Sequence, residues 1–397
     1  MIEVVNLHIY PSNFTHETRI LKETKSIVDK NLVDSLDIVA FWKPGLSEYE
    51  KLDKKRSVWR VPIRLGVLPQ NNFFKGMKFL EFIVKILVRY RNKGVTIVNC
   101  HTLSVLPLGV VFKFLFGSKL IYDAHELETE TAGSHGIRRC LAKFLERVCI
   151  DYCDAMVVVS DSISEWYRRK YDLDSVHVIK NVPYRYENRM DNFSFLKKIF
   201  GIKLDEILFI YQGVLSEQRG VHALLDAFSR ADSKKHIVFM GFGPLEDKIK
   251  KYAELYPNIH FQPPVNPSNV LCYSASADVG VHLIANTCLN HYYCMPNKVF
   301  EYIMSGLPII VSDFPEMAKI AKGAKCGWTV SEDKDSILDL IQILTMEEIK
   351  AKKINVQKYR EQIGWEQEEL KLQKLYAELL IESKQVNFPE NSRSLSI

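Results

Sequence analysis

Short apolar segments alternate with amphipathic segments of helical length along most of the chain. In the first half, this pattern predicts strands at residues 2–10, 95–100, 119–123 and 155–160, and helices at 17–30 and 138–153. Alternation of this kind is typical of βαβ units, which place parallel strands in one sheet. The first half is therefore predicted to form an α/β domain.

The alternation stops at the polar, aperiodic segment 181–192 and then starts again. Beyond it, the pattern predicts strands at 207–212, 236–240, 259–261, 279–283 and 308–312, and helices at 221–231, 245–255 and 297–305. We therefore predict a first domain over 1–183, a linker over 184–192, a second domain over 193–362, a C-terminal helix over 363–384 that packs back toward the first domain, and a flexible tail over 385–397.

Composition supports two folded domains and gives little evidence for other classes. The 397 residues are 47% apolar and 25% charged, which is inconsistent with disorder as the main state. A net charge of +5 is too small to indicate a nucleic-acid partner. The chain has no Cys-x-x-Cys pair, no signal-like start and no apolar run that would cross a bilayer. These features predict a cytoplasmic protein.

Residues 54–93 are strongly basic. They contain eleven lysines and arginines and a single acid, Glu81. In a helix, Lys75, Lys78, Lys85 and Arg89 would share one face, while most of the remaining surface would be apolar. Two interpretations stay open. The segment is either a core helix with a solvated basic face or a surface attracted to anionic lipids at the inner face of the cell membrane.

Candidate binding residues concentrate in the second half. Gly213 ends a predicted strand, and Arg219 precedes a predicted helix, where backbone N–H groups and the helix dipole attract an anion. Lys298 and Glu301 are three residues apart at a helix start, so both side chains project the same way. A cation and a carboxylate placed together there can hold a diphosphate and a ribose diol.

A second glycine pair follows the strand at 236–240. Gly241 and Gly243 would let a ligand approach the backbone closely. The third glycine of the dinucleotide fingerprint is missing, which disfavours a nicotinamide dehydrogenase.

Taken together, these segments resemble the family-4 retaining glycosyltransferases, also called glycosyl transferases group 1. The similar segments are 122–128, 181–183, 213–220, 241–244 and 296–308, and the resemblance extends over about residues 17–380. It implies a GT-B fold, in which two Rossmann-like domains face each other across a cleft. It also implies a nucleotide-sugar donor held mainly by the second domain, an acceptor held mainly by the first, and no metal ion or other cofactor.

The resemblance also implies roles for individual residues. Arg219 and Lys298 would neutralise the leaving diphosphate, Glu301 would bind the ribose, and His125 would contact the donor sugar or the transition-state charge. Gly213, Gly241, Gly243 and Asn297 would line the nucleotide site. Further candidate substrate contacts are His16, Arg19, His101, Glu126, His291 and Tyr293. A core or capping role stays open for His125, and a helix-capping or ion-pairing role stays open for Glu126.

Three departures from the family pattern limit what can be carried over. Tyr293 stands eight positions before Glu301, where the family commonly has a glutamate, and Val214 replaces a common arginine. Residues 11–16 replace a frequent Gly-Gly loop. We therefore expect a retaining, metal-independent transferase that adds a sugar to a lipid-linked oligosaccharide in cell-surface polysaccharide synthesis. The alternatives are a nucleotide-sugar 2-epimerase or phosphorylase of the same fold, and a catalytically silent partner protein.

Overall fold

A computed structural model of the chain describes residues 3–67, 71–185, 194–333 and 335–386. Most of the predicted linker at 184–192 and of the predicted tail at 385–397 lies outside these residues. The described chain forms two sheets, each covered by helices. The predicted fold class, two α/β domains with parallel sheets, is confirmed.

The first sheet contains the strands up to residue 178. They are β1 (Val5–Ile9), β2 (Ser35–Phe41), β3 (Tyr49–Lys51), β4 (Arg56–Val61), β5 (Val95–Cys100), β6 (Lys119–Ala124), β7 (Ala155–Val158) and β8 (Val176–Val178). Their spatial order is β3-β4-β2-β1-β5-β6-β7-β8, and β3 runs antiparallel to β4. The helices are α1 (Thr18–Asp29), α2 (Asn72–Tyr90), α3 (Leu106–Phe116), α4 (Gly136–Ile150) and α5 (Asp161–Tyr171).

The second sheet is parallel throughout its described strands. They are β9 (Ile207–Val214), β10 (Lys235–Phe242), β11 (Ile259–Gln262), β12 (Val279–His282), β13 (Ile309–Ser312) and β14 (Gly327–Val330), in the order β11-β10-β9-β12-β13-β14. The helices are α6 (Phe195–Ile199), α7 (Val221–Arg230), α8 (Glu246–Leu255), α9 (Val270–Ala275), α10 (Leu289–Tyr293), α11 (Asn297–Met304), α12 (Pro315–Ala318), α13 (Ser336–Ile343), α14 (Met346–Arg360) and α15 (Trp365–Val386).

Strand β1 shows why the two faces of the first sheet differ. Its odd positions, such as Leu7 and Ile9, enter the core beneath α2 to α5. Its even positions, Asn6 and His8, lie on the opposite face and are fully buried. Because side chains alternate along a strand, a polar residue at every second position places a hydrogen-bonded network inside the fold.

Helix α15 belongs spatially to the first sheet, although it follows the second in the chain. It packs against α1. The buried indole of Trp365 donates a 2.8 Å hydrogen bond to Oγ of Ser26, and its backbone N–H donates to the carbonyl of Pro183. The segment at Pro183, where the chain leaves the first sheet, therefore lies beside the segment at Trp365, where the chain returns to it.

Each sheet contains one point at which the strand order reverses. In the first sheet it lies between β1 and β5, and in the second it lies between β9 and β12. Ligands of open α/β sheets bind beyond the carboxyl ends of strands at such points. Within the described residues, no helix combines the length and the apolar character that crossing a bilayer requires.

Candidate active site

Two adjoining cavities lie at the carboxyl ends of the strands. The larger, of about 740 Å³, lies between the two sheets. The smaller is about 550 Å³ and lies against β9 and β10, and Asn297 and Lys298 line both. The structure thus collects candidates from both halves, with His16, His125, Glu126, Arg219 and His291 on the larger cavity and Gly213, Gly241 and Glu301 on the smaller.

Lys298 reaches this junction by passing over Gly213. A Cβ atom added to Gly213 would collide with Cε of Lys298, and Gly213 has a φ of +116°. Both observations require glycine, because a side chain would be strained there and would displace the lysine. The absence of a side chain at Gly213 therefore leaves the space that the side chain of Lys298 occupies.

Arg219 and Lys298 are two neighbouring cations without a carboxylate partner. Among the described residues, no Asp or Glu oxygen lies within ion-pair distance of either. Burial and the nearby Arg219 lower the pKa of Lys298, although Glu301 opposes the shift. Uncompensated positive charge in a half-buried position is unfavourable until an anion binds. The pair is therefore suited to a diphosphate.

Glu301 lies at the end of a chain of polar contacts. Nε2 of Gln212 donates to its Oε2 atom, and Oγ of Ser274 donates to Oε1 of Gln212. Burial raises the pKa of Glu301, whereas Lys298, Lys22 and the Gln212 hydrogen bond lower it. No described residue donates to its Oε1 atom, which leaves an acceptor for a ligand hydroxyl.

On the first-domain side, His125 lies in front of two buried histidines. Its Nε2 atom is 3.2 Å from Oδ2 of Asp123 and 3.1 Å from Nδ1 of His101. Nδ1 of His101 is 2.9 Å from the same Asp123 oxygen, and its Nε2 is 2.8 Å from Nδ1 of His8. Burial lowers the pKa of His101 to about 4 against the opposing effect of Asp123.

Arg19 secures the carboxylate of Asp123. Its Nη2 donates to Oδ1 at 2.8 Å, and its Nη1 donates to the carbonyl of Ile179 at 2.7 Å. Burial alone would raise the pKa of Asp123, but Arg19 and the two histidines hold it well below its usual range. Arg19 also pairs with Glu23. With its donors engaged in this way, Arg19 acts on the site through Asp123.

His101, Asp123 and His125 are also the residues here with the composition of a metal site. They offer three ligand atoms within 4.8 Å of one another. The Arg19 guanidinium already lies on the carboxylate, and a metal ion would have to bind beside this positive charge. The hydrogen bond from His125 to Asp123 and the contact between the two imidazoles account for the short separations.

Comparison with known families identifies the chain. Residues 34–182 match the family model described as Glycosyltransferase Family 4, and residues 206–346 match the one described as Glycosyl transferases group 1. The two matches cover most of both sheets. The chain belongs to the family-4 glycosyltransferases.

Solved structures show that this glycosyltransferase has the GT-B fold. Sucrose-phosphate synthase from Thermosynechococcus elongatus superposes with a TM-score of 0.74 at 14% identity, over 96% of this chain and 100% of that one. HepE of Anabaena, solved with UDP and glucose, gives 0.70 at 14% identity over 96% and 100%. WaaG, a glycosyltransferase of lipopolysaccharide biosynthesis, gives 0.67 at 13% over 94% and 99%. No curated protein sequence matches the chain.

The structure places one candidate away from the larger cavity and gives two others a structural role as well. Tyr293 packs with the first-domain core, its backbone carbonyl accepts a hydrogen bond from Ser160, and it does not line the larger cavity. A Cβ at Gly241 would collide with the backbone of β9, so close strand pairing already requires this glycine. His101 is fully buried and lies behind His125.

The remaining candidates of the glycosyltransferase lie at the rim. Nδ2 of Asn290 donates to Glu126 at 3.1 Å, and the N–H of Leu127 donates to Oδ1 of Asn290 at 2.8 Å. Glu126 thus takes part in a contact between the two halves. His291 lies 2.9 Å from Oγ1 of Thr287 and lines the larger cavity.

Several cavity residues were missed from sequence. The ring of Tyr10 is tilted by 37° against that of His125, with ring centroids 5.7 Å apart. Burial, Glu126 and Glu146 raise the pKa of Glu128 to about 7. Burial and Arg19 lower the pKa of Lys22, which lines the smaller cavity, to about 8. Asp123 was available to pattern analysis, because it precedes His125 by the two residues that separate neighbours on one face of a strand.

Replacing Gly213 with alanine is expected to weaken nucleotide binding by about tenfold or more, because the new methyl group displaces Lys298 from the diphosphate position. Titration calorimetry with a nucleoside diphosphate measures this. Gly76→Ala in α2, where a Cβ meets no neighbouring atom within 4 Å, is the matched control. Unchanged affinity in Gly213→Ala would contradict the proposed packing.

Proposed function

We propose that this glycosyltransferase moves a sugar from a nucleoside-diphosphate donor to an acceptor with retention of configuration and without a metal ion on the diphosphate. The observation that carries the proposal is the pair Arg219 and Lys298, which both line the larger cavity and form no ion pair with a carboxylate of the described residues. The structure of HepE with UDP and glucose supports a nucleotide sugar as the donor class.

The charges of the site agree with this chemistry. Cleavage of a bond between a sugar and a diphosphate develops negative charge on the leaving group and positive charge on the ring. Arg219 and Lys298 would stabilise the diphosphate, and Glu301 would accept from the ribose. His125 would lie beside the sugar, at the first-domain wall of the larger cavity. In a front-face reaction, the departing phosphate oxygen takes the proton of the acceptor hydroxyl.

A panel of nucleotide sugars tests this function. We expect one donor to raise the melting temperature of the full chain in the presence of a chelator and to support transfer to an oligosaccharide acceptor. Analysis of the product linkage then reports retention. Conversion of the donor to another sugar nucleotide without acceptor would favour the epimerase alternative. No stabilisation by any nucleotide would favour the silent partner.

We further propose that the acceptor is linked to lipid and that the first domain docks on an anionic bilayer. Two of its helices support this by carrying large apolar side chains at solvent-exposed positions three or four residues apart. They are Phe73, Met77, Leu80, Val84 and Val88 on α2, and Ile137, Leu141, Phe144 and Val148 on α4. Basic residues accompany them on both helices. The basic segment 54–93 thus covers only part of this surface, since α4 extends it.

Replacing both Leu141 and Phe144 with serine is expected to lower flotation with phosphatidylglycerol-containing vesicles several-fold, because two inserting side chains are lost. Ile343→Ser is the control, since Ile343 is as exposed but lies on α13 of the second domain. Binding should also weaken as salt rises. Equal flotation of the wild type with neutral and anionic vesicles would contradict electrostatic docking.

A further inference from the structure

Three neighbouring strands end in the same short pattern. Residues 6–8, 99–101 and 123–125 each read as an amide or acid, an apolar residue and a histidine. They lie within β1 and at the carboxyl ends of β5 and β6, which are adjacent in the sheet, and His101 and His125 directly follow the last residues of their strands. Because the spacing is two residues, the polar side chains share one face. Of the three histidines, His125 is the one whose side chain is partly exposed, and it lines the larger cavity.

Asp123 determines where the ring protons lie. An ionised carboxylate only accepts hydrogen bonds, and Arg19 keeps Asp123 ionised. A ring nitrogen without a proton would direct its lone pair at this oxygen and be repelled. Nε2 of His125 lies 3.2 Å from Oδ2 in hydrogen-bonding geometry, so it donates to this oxygen.

The surrounding residues fix the ring of His125 in place. The ring of Tyr10 lies on one side, and the buried ring of His101 lies at a centroid distance of 5.2 Å. His101 is backed by His8, whose Nδ1 is 2.8 Å away. Rotation of His125 would break its bond to Asp123 in a site that offers no replacement among the described residues.

We propose that Asp123 is a positioning residue that holds His125 in the tautomer protonated at Nε2, so that Nδ1 accepts a hydrogen bond from a hydroxyl of the sugar in the cleft. None of the hydrogen bonds among the described residues involves this Nδ1 atom, and the side chain lines the larger cavity. The proposal rests on the proposed function for the identity of the ligand. His125 then selects a free hydroxyl and does not donate to the sugar.

The tautomer can be measured without activity. The full chain is labelled with [¹⁵N]histidine, long-range ¹H–¹⁵N correlations are recorded at a pH where His125 is neutral, and His125→Gln assigns its signals. The expected result is a protonated Nε2 and an unprotonated Nδ1. In Asp123→Asn, whose amide can donate, the population should shift toward the other tautomer. The exposed His222, which pairs with Glu217, should remain unchanged.

Either of two results would overturn the proposal: a wild-type His125 protonated at Nδ1, or an unchanged tautomer in Asp123→Asn. The wild-type measurement needs no Asp123 variant, so a poorly folding Asp123→Asn leaves the test intact. With an active donor, Asp123→Asn should lower kcat about tenfold or more while KM for the donor stays within about twofold. An increase in KM alone would contradict positioning. Absence of transfer with every donor would affect the proposed function and leave the spectrum valid.

Discussion

Replacing Lys298 with alanine is expected to lower kcat/KM for sugar transfer about tenfold to a hundredfold, and replacing Arg219 as well should lower it further. A charge-assisted hydrogen bond contributes about 1.5–3 kcal/mol, and each ~1.4 kcal/mol corresponds to a factor of ten in rate. The loss should exceed this range if the diphosphate is left without any cation in the half-buried junction. Steady-state kinetics with the donor identified by the nucleotide-sugar panel give the measurement.

The control for this loss is Lys251→Ala, which removes an exposed lysine from α8 and should leave kcat/KM within about twofold. Nucleotide affinity by calorimetry separates binding from chemistry. We expect Lys298→Ala to weaken diphosphate binding as well as transfer, since the cation contacts the leaving group before and after cleavage. Normal transfer by Lys298→Ala would show that the donor site has been assigned to the wrong residues.

Replacing Trp365 with alanine is expected to destabilise the first domain by about 3–5 kcal/mol, the usual range for a fully buried large aromatic residue. Trp365 is fully buried, donates to Ser26 and lies beneath the ammonium group of Lys22 at 4.8 Å. Its loss creates a cavity where α15 joins the first domain and leaves the hydroxyl of Ser26 without this partner. The shift in the urea midpoint, with fluorescence and circular dichroism recorded together, measures the change.

Leu370→Ala is the matched control for this prediction, because Leu370 is on the same helix but 64% exposed. Its effect should stay within about 0.5 kcal/mol. A change below about 1 kcal/mol in Trp365→Ala would mean that α15 contributes little to the first domain. The two spectroscopic probes also show whether the two domains unfold together or in separate steps.

The fold was largely predictable because its signals are local. Alternating strands and helices placed α11 within one residue of its observed end, and the restart of the pattern after residue 192 separated the two sheets. Strands β2 to β4 were missed. β3 has only three residues, and β4 begins inside the basic region, where charge obscures the apolar alternation. The sequence pattern of one short segment does not show which neighbouring strand it will pair with.

The residues of the candidate site also fall into two groups, those that a short motif predicts and those that depend on distant contacts. Gly213, Arg219, Lys298 and Glu301 lie in short motifs whose chemistry is readable in isolation. Tyr293 was misplaced because its distance in sequence from Glu301 does not give the direction in which the short helix α10 projects it. The role of Asp123 could be recognised only from the order of the strands and from its hydrogen bond with Arg19, which is 104 residues away in the sequence.

Tyr376 of α15 gives the molecule an unusual order of assembly. Its hydroxyl donates to Oδ1 of Asn99 at 2.9 Å and lies 3.2 Å from Oδ1 of Asn6, a residue 370 positions earlier. During translation, β1 and β5 can pair while the second domain is still being made. The buried side-chain amides of Asn6 and Asn99, however, lack their hydrogen bonds from Tyr376 until α15 has been made. At about 5–20 residues per second, that interval lasts tens of seconds. The nascent first domain is thus the first to begin folding and the last to be completed, and a chaperone that covers its open face would act during this interval.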